Sequence, residues 1–178
     1  MELLKIDLGC GKNKKEGFLG VDSISFPGVD IVADLRQPWP WKDNEVDEAH
    51  CSHFLEHLTA DERIHFVNEL DRVLKPGGKC TLICPHWKSC RAYGDPTHVW
   101  PPVSEFWFYY LSKEWRKANA PHTDSEIRTP GFKCDLECTW GYGLDPSLLV
   151  RNVEYQQHAM KFYTEATPDI IGTLKKKV

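Results

Sequence analysis

The residues best suited to chemistry fall into two groups. Gly9-Cys10-Gly11, Asp22-Ser23, Asp34-Leu35 and Ser52-His53 each follow a short apolar run. Glycines let a ligand approach the backbone closely. An acid at the end of a strand can accept both hydroxyls of a ribose, and a second can accept from the exocyclic amine of adenine. Taken singly, Asp22 and Asp34 read equally well as strand-end turn formers. Behind a glycine turn and in this order, they favour a site. The second group, His86, Asp95 and His98, lies in a stretch rich in proline, histidine and tryptophan at 85–102. An imidazole near its ordinary pKa is a base for an oxygen or nitrogen nucleophile. The plainer alternatives are histidines that bond loop carbonyls and an Asp95-Pro96 turn.

The elements that must position these residues follow from hydrophobic pattern. Leu3 to Leu8 reads as a buried strand, and Phe18 to Val21 as a short second one. Residues 29–33 alternate as a third strand, and Val46 to Cys51 forms a fourth. Thr59 with Glu62 three residues on is a capping box. The apolar stripe Ile64, Val67, Leu70, Val73 and Leu74 then predicts a helix that stops at Lys75-Pro76-Gly77-Gly78. Lys79 to Cys84 is a fifth strand. Val103 to Asn119 reads as an aromatic-rich helix, Phe132 to Trp140 as a strand, and Pro146 to Tyr163 as one or two helices. Ile170 to Leu174 is the last strand, with Lys175 to Lys177 solvated. Strands alternating with helices predict a mainly parallel sheet covered on both faces. Ligands bind such a sheet beyond the carboxyl ends of its strands.

Composition bounds the partners. The chain has 178 residues, 41% hydrophobic and 27% charged, with a formal net charge of −4. That length suits a single domain over residues 1–178. The charge gives no general field for nucleic acid or anionic membrane. No apolar run approaches the roughly 20 residues of a membrane span, and nothing reads as a signal peptide. Seven irregularly spaced cysteines point to reduced thiols and a cytoplasmic location. Cys134 and Cys138 lack a second pair at ligand spacing, so no metal site is expected.

Several stretches carry a resemblance: IDLGCG at 6–11, GVD at 20–22, VADL at 32–35, VDEAHCSHFLEHL at 46–58, LDRVLKPGGKCTLICP at 70–85 and, downstream, GDPTHVW at 94–100. In that order they resemble a class I S-adenosylmethionine-dependent methyltransferase of the small type 11 group. The resemblance covers about the first half of the chain. It implies a three-layer Rossmann-like methyltransferase fold, α/β, with an antiparallel last strand. It also implies S-adenosyl-L-methionine as cofactor and S-adenosyl-L-homocysteine as product.

Carried over by position, Asp7, Leu8, Gly9, Cys10 and Gly11 form the loop under the methionine part of the cofactor. Asp22 with Ser23 holds the ribose, Asp34 and Leu35 the adenine, and Ser52-His53 another wall. Asp7 has an equal claim to a structural role. Gly11 and Asp22 are too close for the full helix that usual members place between them, so the cofactor loop is read as shortened. Lys14 and Lys15 read as a solvated turn.

Methyl transfer from a sulfonium is an in-line displacement that needs an aligned nucleophile, and a base only where a proton must leave. Neither an Asn/Asp-Pro-Pro-aromatic run nor a Pro-Cys nucleophile is present, so DNA-base methylation is not supported. The segment 85–120 is expected to cap the acceptor, with His98, Asp95 and His86 nearest the chemistry and the aromatics at 106–115 as pocket wall or core. A small molecule methylated on oxygen or nitrogen is the expected acceptor, with a peptide side chain as nearest rival. A catalytically idle cofactor-binding or protein-interaction module is the alternative class. A nicotinamide-dependent oxidoreductase is disfavoured, because the loop lacks the third glycine and the helix a pyrophosphate requires.

Overall fold

The computed structural model describes residues 3–178. Its seven strands are β1 (Lys5–Leu8), β2 (Leu19–Asp22), β3 (Ile31–Val32), β4 (Val46–Ser52), β5 (Leu74–Pro85), β6 (Leu136–Gly143) and β7 (Asp169–Lys176). They form one sheet in the order β3-β2-β1-β4-β5-β7-β6. Strands β1 to β5 pair in parallel. The last strand, β7, runs antiparallel between β5 and β6. The expected α/β, mainly parallel sheet with an antiparallel last strand is present.

Helix α1 (Ala60–Val73) joins β4 to β5 and opens on the predicted capping box, with Thr59 and Glu62 satisfying each other's backbone amides. Its stripe of Ile64, Val67, Leu70 and Val73 is buried with Ile6, Leu8, Val21, Ala49, Cys51, Leu82 and Leu174 in one core. The helix stops at Val73 as predicted, and Lys75-Pro76-Gly77-Gly78 then forms a bulge inside β5, between the Val46–Leu74 and Glu48–Lys79 pairings.

The aromatic helix expected over 103–119 is two helices, α3 (Glu105–Tyr109) and α4 (Lys113–Asn119). The break has local causes. Ser112 caps α4 through the Trp115 amide, and the buried Leu111 gives its carbonyl to the Leu136 amide. Residues 132–135 leave the sheet because Asn68 on α1 takes the Lys133 and Cys134 amides. Short helices α2 (Arg91–Gly94), α5 (Pro146–Leu149) and α6 (Val153–Phe162) complete the chain. Lys175 is exposed as expected, whereas Lys176 reaches Asn44 and Lys177 reaches Asp135.

Helical cover on both faces is not what the strands dictate. Right-handed crossovers put β1→β2 and β2→β3 on the face opposite α1, because the chain there moves across the sheet in the other direction. Neither connection contains a helix. The face they cross carries Lys5, Asp7, Glu48, His50, Lys79, Thr81, Thr173 and Glu137, all polar, and of these Asp7 alone is fully buried. Lys5 bridges to Glu48 across β1 and β4 at 3.0 Å. The outer layer on that side is therefore loop, folded close enough that a side chain at Gly20 would meet Lys14, Cys10 and the Gly28 carbonyl. An ion pair between Lys14 and Asp30 ties the two connections together.

Candidate active site

At the carboxyl edge, the chain turns sharply after β1. Gly9 and Gly11 both have positive φ. A Cβ on Gly9 would stand 2.8 Å from Phe54 Cβ and collide with its ring, so glycine is required twice over. The Gly11 amide donates to Asp22 Oδ2 at 2.9 Å and the Ile24 amide to Oδ1 at 3.0 Å. A carboxylate has about four lone-pair positions, so Asp22 retains two for a diol. Between β1, β2 and β3 lies a cavity of about 210 Å³ lined by Gly9, Asp22, Asp34, Leu35, Phe54 and His57, among others. Asp34 is held by a two-point pair with Arg36, at 2.9 and 3.0 Å. Those hydrogen bonds keep its carboxyl below the usual range.

Asp7 points elsewhere. Its oxygens accept from the Lys15 amide and meet His50 Nδ1, each at 2.7 Å. It anchors the shortened loop to the polar sheet face. Leu8 is core. Cys10 sits beneath the loop with its thiol pushed up by burial and then by Asp7 and Asp22. Ser23 joins Asp22 in the cavity wall and Gly11 bonds Asp22 from outside it, whereas Ser52 pairs with Ile83 inside the sheet.

A second cavity, of about 320 Å³, adjoins the first and shares His57 with it. Its walls are His53, Glu56, Pro85, Arg91, Asp95 and His98. His53 has φ 54 at the end of β4, which throws its side chain across the edge. A hydrogen bond to Glu56 pushes its imidazole pKa up. Asp95 accepts from the Thr97 amide and hydroxyl, and both lower its pKa. Its second oxygen lies 3.9 Å from His98 Nε2. Arg63 on α1, 4% exposed, clamps this arrangement by donating to the carbonyls of Leu55, Val99 and Pro101.

His98 and Asp95 thus meet at the second cavity, and His86 does not join them. His86 is 1% exposed, with Nδ1 on Thr167 and Nε2 on Glu105, and it lines a different cavity with Lys88 and Tyr142. The expected aromatic wall is also absent from the second cavity. Phe108 packs against Gly172 and stacks on Trp140, which turns α3 onto the sheet, while Trp100 and Phe106 face outward. Sequence reasoning missed Phe54, Glu56, His57 and Arg91. The segment HFLEH at 53–57 carries the signal, since one turn places its polar ends together. Cys134 and Cys138 are not in any metal-suited group among the described residues. Burial pushes the Cys138 thiol up to about 12.

Residues 11–82 match the family model described as "Methyltransferase domain", and they include β2 and β3 of the first cavity but not β1 or Gly9. Over that stretch the chain resembles the class I S-adenosylmethionine-dependent methyltransferases, and it has their fold. A tRNA (carboxymethyluridine(34)-5-O)-methyltransferase of Arabidopsis thaliana is 28% identical over 142 residues, covering 71% of this chain and 33% of that protein. An uncharacterized methyltransferase of Synechocystis is 31% identical over 88 residues, covering 49% of this chain and 39% of its own length. The chain therefore spans well under half of each of these relatives. A solved S-adenosylmethionine-dependent methyltransferase of Archaeoglobus fulgidus superposes with a TM-score of 0.68 at 17% identity, over 98% of this chain and 86% of that one. Within this methyltransferase fold, the free acceptor positions of Asp22 and the cradle at Gly9 fit S-adenosylmethionine. No helix among the described residues is long and apolar enough to cross a membrane.

Proposed function

We propose that the chain transfers a methyl group from S-adenosylmethionine to an oxygen or nitrogen of a small polar acceptor. The observation that carries this reading is the pair of adjoining cavities with His57 in their common wall. When bound, the cofactor supplies an electrophilic methyl on a sulfonium. The chain's own residues do the remaining work. Asp22 accepts from the ribose, Asp34 and Leu35 face the adenine, and the Gly9 to Gly11 turn lies under the methionine part. His98 takes a proton from the acceptor, and Asp95 orients that imidazole through its free oxygen. His86, with both nitrogens engaged, is assigned to holding the 85–120 cap in place.

The second cavity is lined by imidazoles, carboxylates and a guanidinium, which favours a polar acceptor. The Arabidopsis relative is named for O-methylation of carboxymethyluridine in tRNA, so RNA belongs beside small molecules in the test. Labelled S-adenosylmethionine is incubated with the protein and with separated small-molecule, RNA and peptide fractions of a cell extract. Label in the small-molecule fraction, abolished by Asp22→Ala, is the expected result. Label confined to RNA or peptide would overturn the acceptor class. Cofactor binding without transfer to any fraction would favour the idle module.

A further inference from the structure

We propose that Glu56, His57 and His98 form a binding site for one divalent first-row transition-metal ion, opening onto the second cavity. One ligand-capable atom from each of the three lies within 4.8 Å of the others. Two histidines and one carboxylate are a donor set suited to such ions.

The second observation concerns polar atoms left without partners. Among the described residues, three buried side-chain atoms lack a hydrogen bond: Glu56 Oε2, His98 Nδ1 and Arg116 Nε. Two of the three belong to this cluster. Glu56 is 4% exposed, and an unpaired carboxylate oxygen at that depth is costly. Its other oxygen is occupied by His53 at 3.3 Å. A cation between Glu56 and His98 satisfies both orphaned atoms at once.

The surrounding groups set the ring nitrogens for the same purpose. His98 Nε2 faces the Asp95 carboxylate at 3.9 Å, which leaves the Nδ1 lone pair inward. His57 Nδ1 faces the Thr97 carbonyl at 3.4 Å, which leaves Nε2 as the free acceptor. Histidines that hold metals are commonly oriented by a carboxylate or carbonyl on their second nitrogen. The scaffold is fixed beforehand: Val99 donates its amide to the Glu56 carbonyl at 2.8 Å, and Arg63 ties both segments together. Bonds of about 2.1 Å require ligand atoms roughly 3.3 Å apart, so binding draws the three inward. Three protein ligands leave coordination positions for an oxygen of the acceptor; with the ion bound, both nitrogens of His98 are engaged, so the ion rather than the imidazole would activate that oxygen. That last role, though not the binding itself, rests on the methyl-transfer reading.

The test uses the chelator-stripped 178-residue chain titrated with Co²⁺, whose visible spectrum separates nitrogen and oxygen ligation from thiolate ligation, and with Zn²⁺ against a chromophoric chelator. One equivalent should bind without a thiolate band. Glu56→Gln and His98→Gln should each weaken binding at least tenfold. His57→Gln, at an exposed position, supplies the same test if a buried variant fails to fold. S-adenosylmethionine binding is followed in parallel by calorimetry, so loss of the cofactor reading is seen separately from loss of the metal. Absence of binding at millimolar metal, a thiolate spectrum, or equal affinity in the three variants would overturn the site.

Discussion

The ring of Phe54 lies against Gly9, filling the space in which any larger residue there would place its Cβ. One residue follows the first strand and the other the fourth, so this contact joins the cofactor turn to the far wall of its pocket. Gly9→Ala must displace the ring and also hold alanine at φ 67. We expect a stability loss of about 1–3 kcal/mol and a cofactor affinity reduced at least tenfold, read by thermal unfolding and calorimetry. An alanine variant with unaltered affinity would remove the turn from the site.

Asp7 makes a different prediction. Its two 2.7 Å contacts hold the Lys15 amide and His50 on the polar face. Asp7→Ala removes two hydrogen bonds to a buried carboxylate, which costs about 1–3 kcal/mol. Chemical denaturation should show that loss, and protease cleavage within 9–18 should accelerate. A variant as stable as the parent would return Asp7 to direct cofactor contact.

Much of this was legible in the residues. The capping box at Thr59 and Glu62, the apolar stripe of α1 and the glycine turn before Asp22 all depend on local spacing, and local spacing survives folding. The polar sheet face was legible too: Lys5-Ile6-Asp7-Leu8 and Glu48-Ala49-His50-Cys51 alternate with period two, the mark of one wet face. Regarding those strands as continuously buried hides it. What could not be read was side-chain direction after the fifth strand. Whether Phe108 turns toward the sheet or the ligand depends on Gly172, which is 64 positions away in sequence. The meeting of His98 with Glu56 and His57 likewise depends on the buried Arg63, whose guanidinium links segments distant in the chain.

His98 and Asp95 should separate from His86 in kinetics. His98→Ala should lower turnover by about 10²-fold or more, the usual scale for a lost general base, with cofactor affinity within threefold of the parent. Asp95→Asn should lower it less, because the imidazole remains. Parallel loss of cofactor binding would place this loop in the wrong site.

For His86 the expected effect is on stability and depends on pH. Burial pushes its pKa below the ordinary imidazole value, against the opposing pull of Glu105. The folded state therefore favours the neutral ring. Its contribution is complete above about pH 6.5, the unfolded value, and is lost as pH falls from there toward the folded pKa. Urea denaturation at about pH 7.5 and pH 5.5 should show a decline in the parent that is smaller in His86→Gln. Equal declines would assign the effect to other histidines.

The central claim is that Asp22, at the end of the second strand, holds the ribose of S-adenosylmethionine in the first cavity. Isothermal calorimetry with S-adenosylhomocysteine, on the parent and on Asp22→Ala, addresses it most directly. One molecule should bind the parent, and the variant should lose about 10- to 100-fold in affinity, the cost of hydroxyls left without acceptors. No heat with the parent, or equal affinity in the variant, would contradict it.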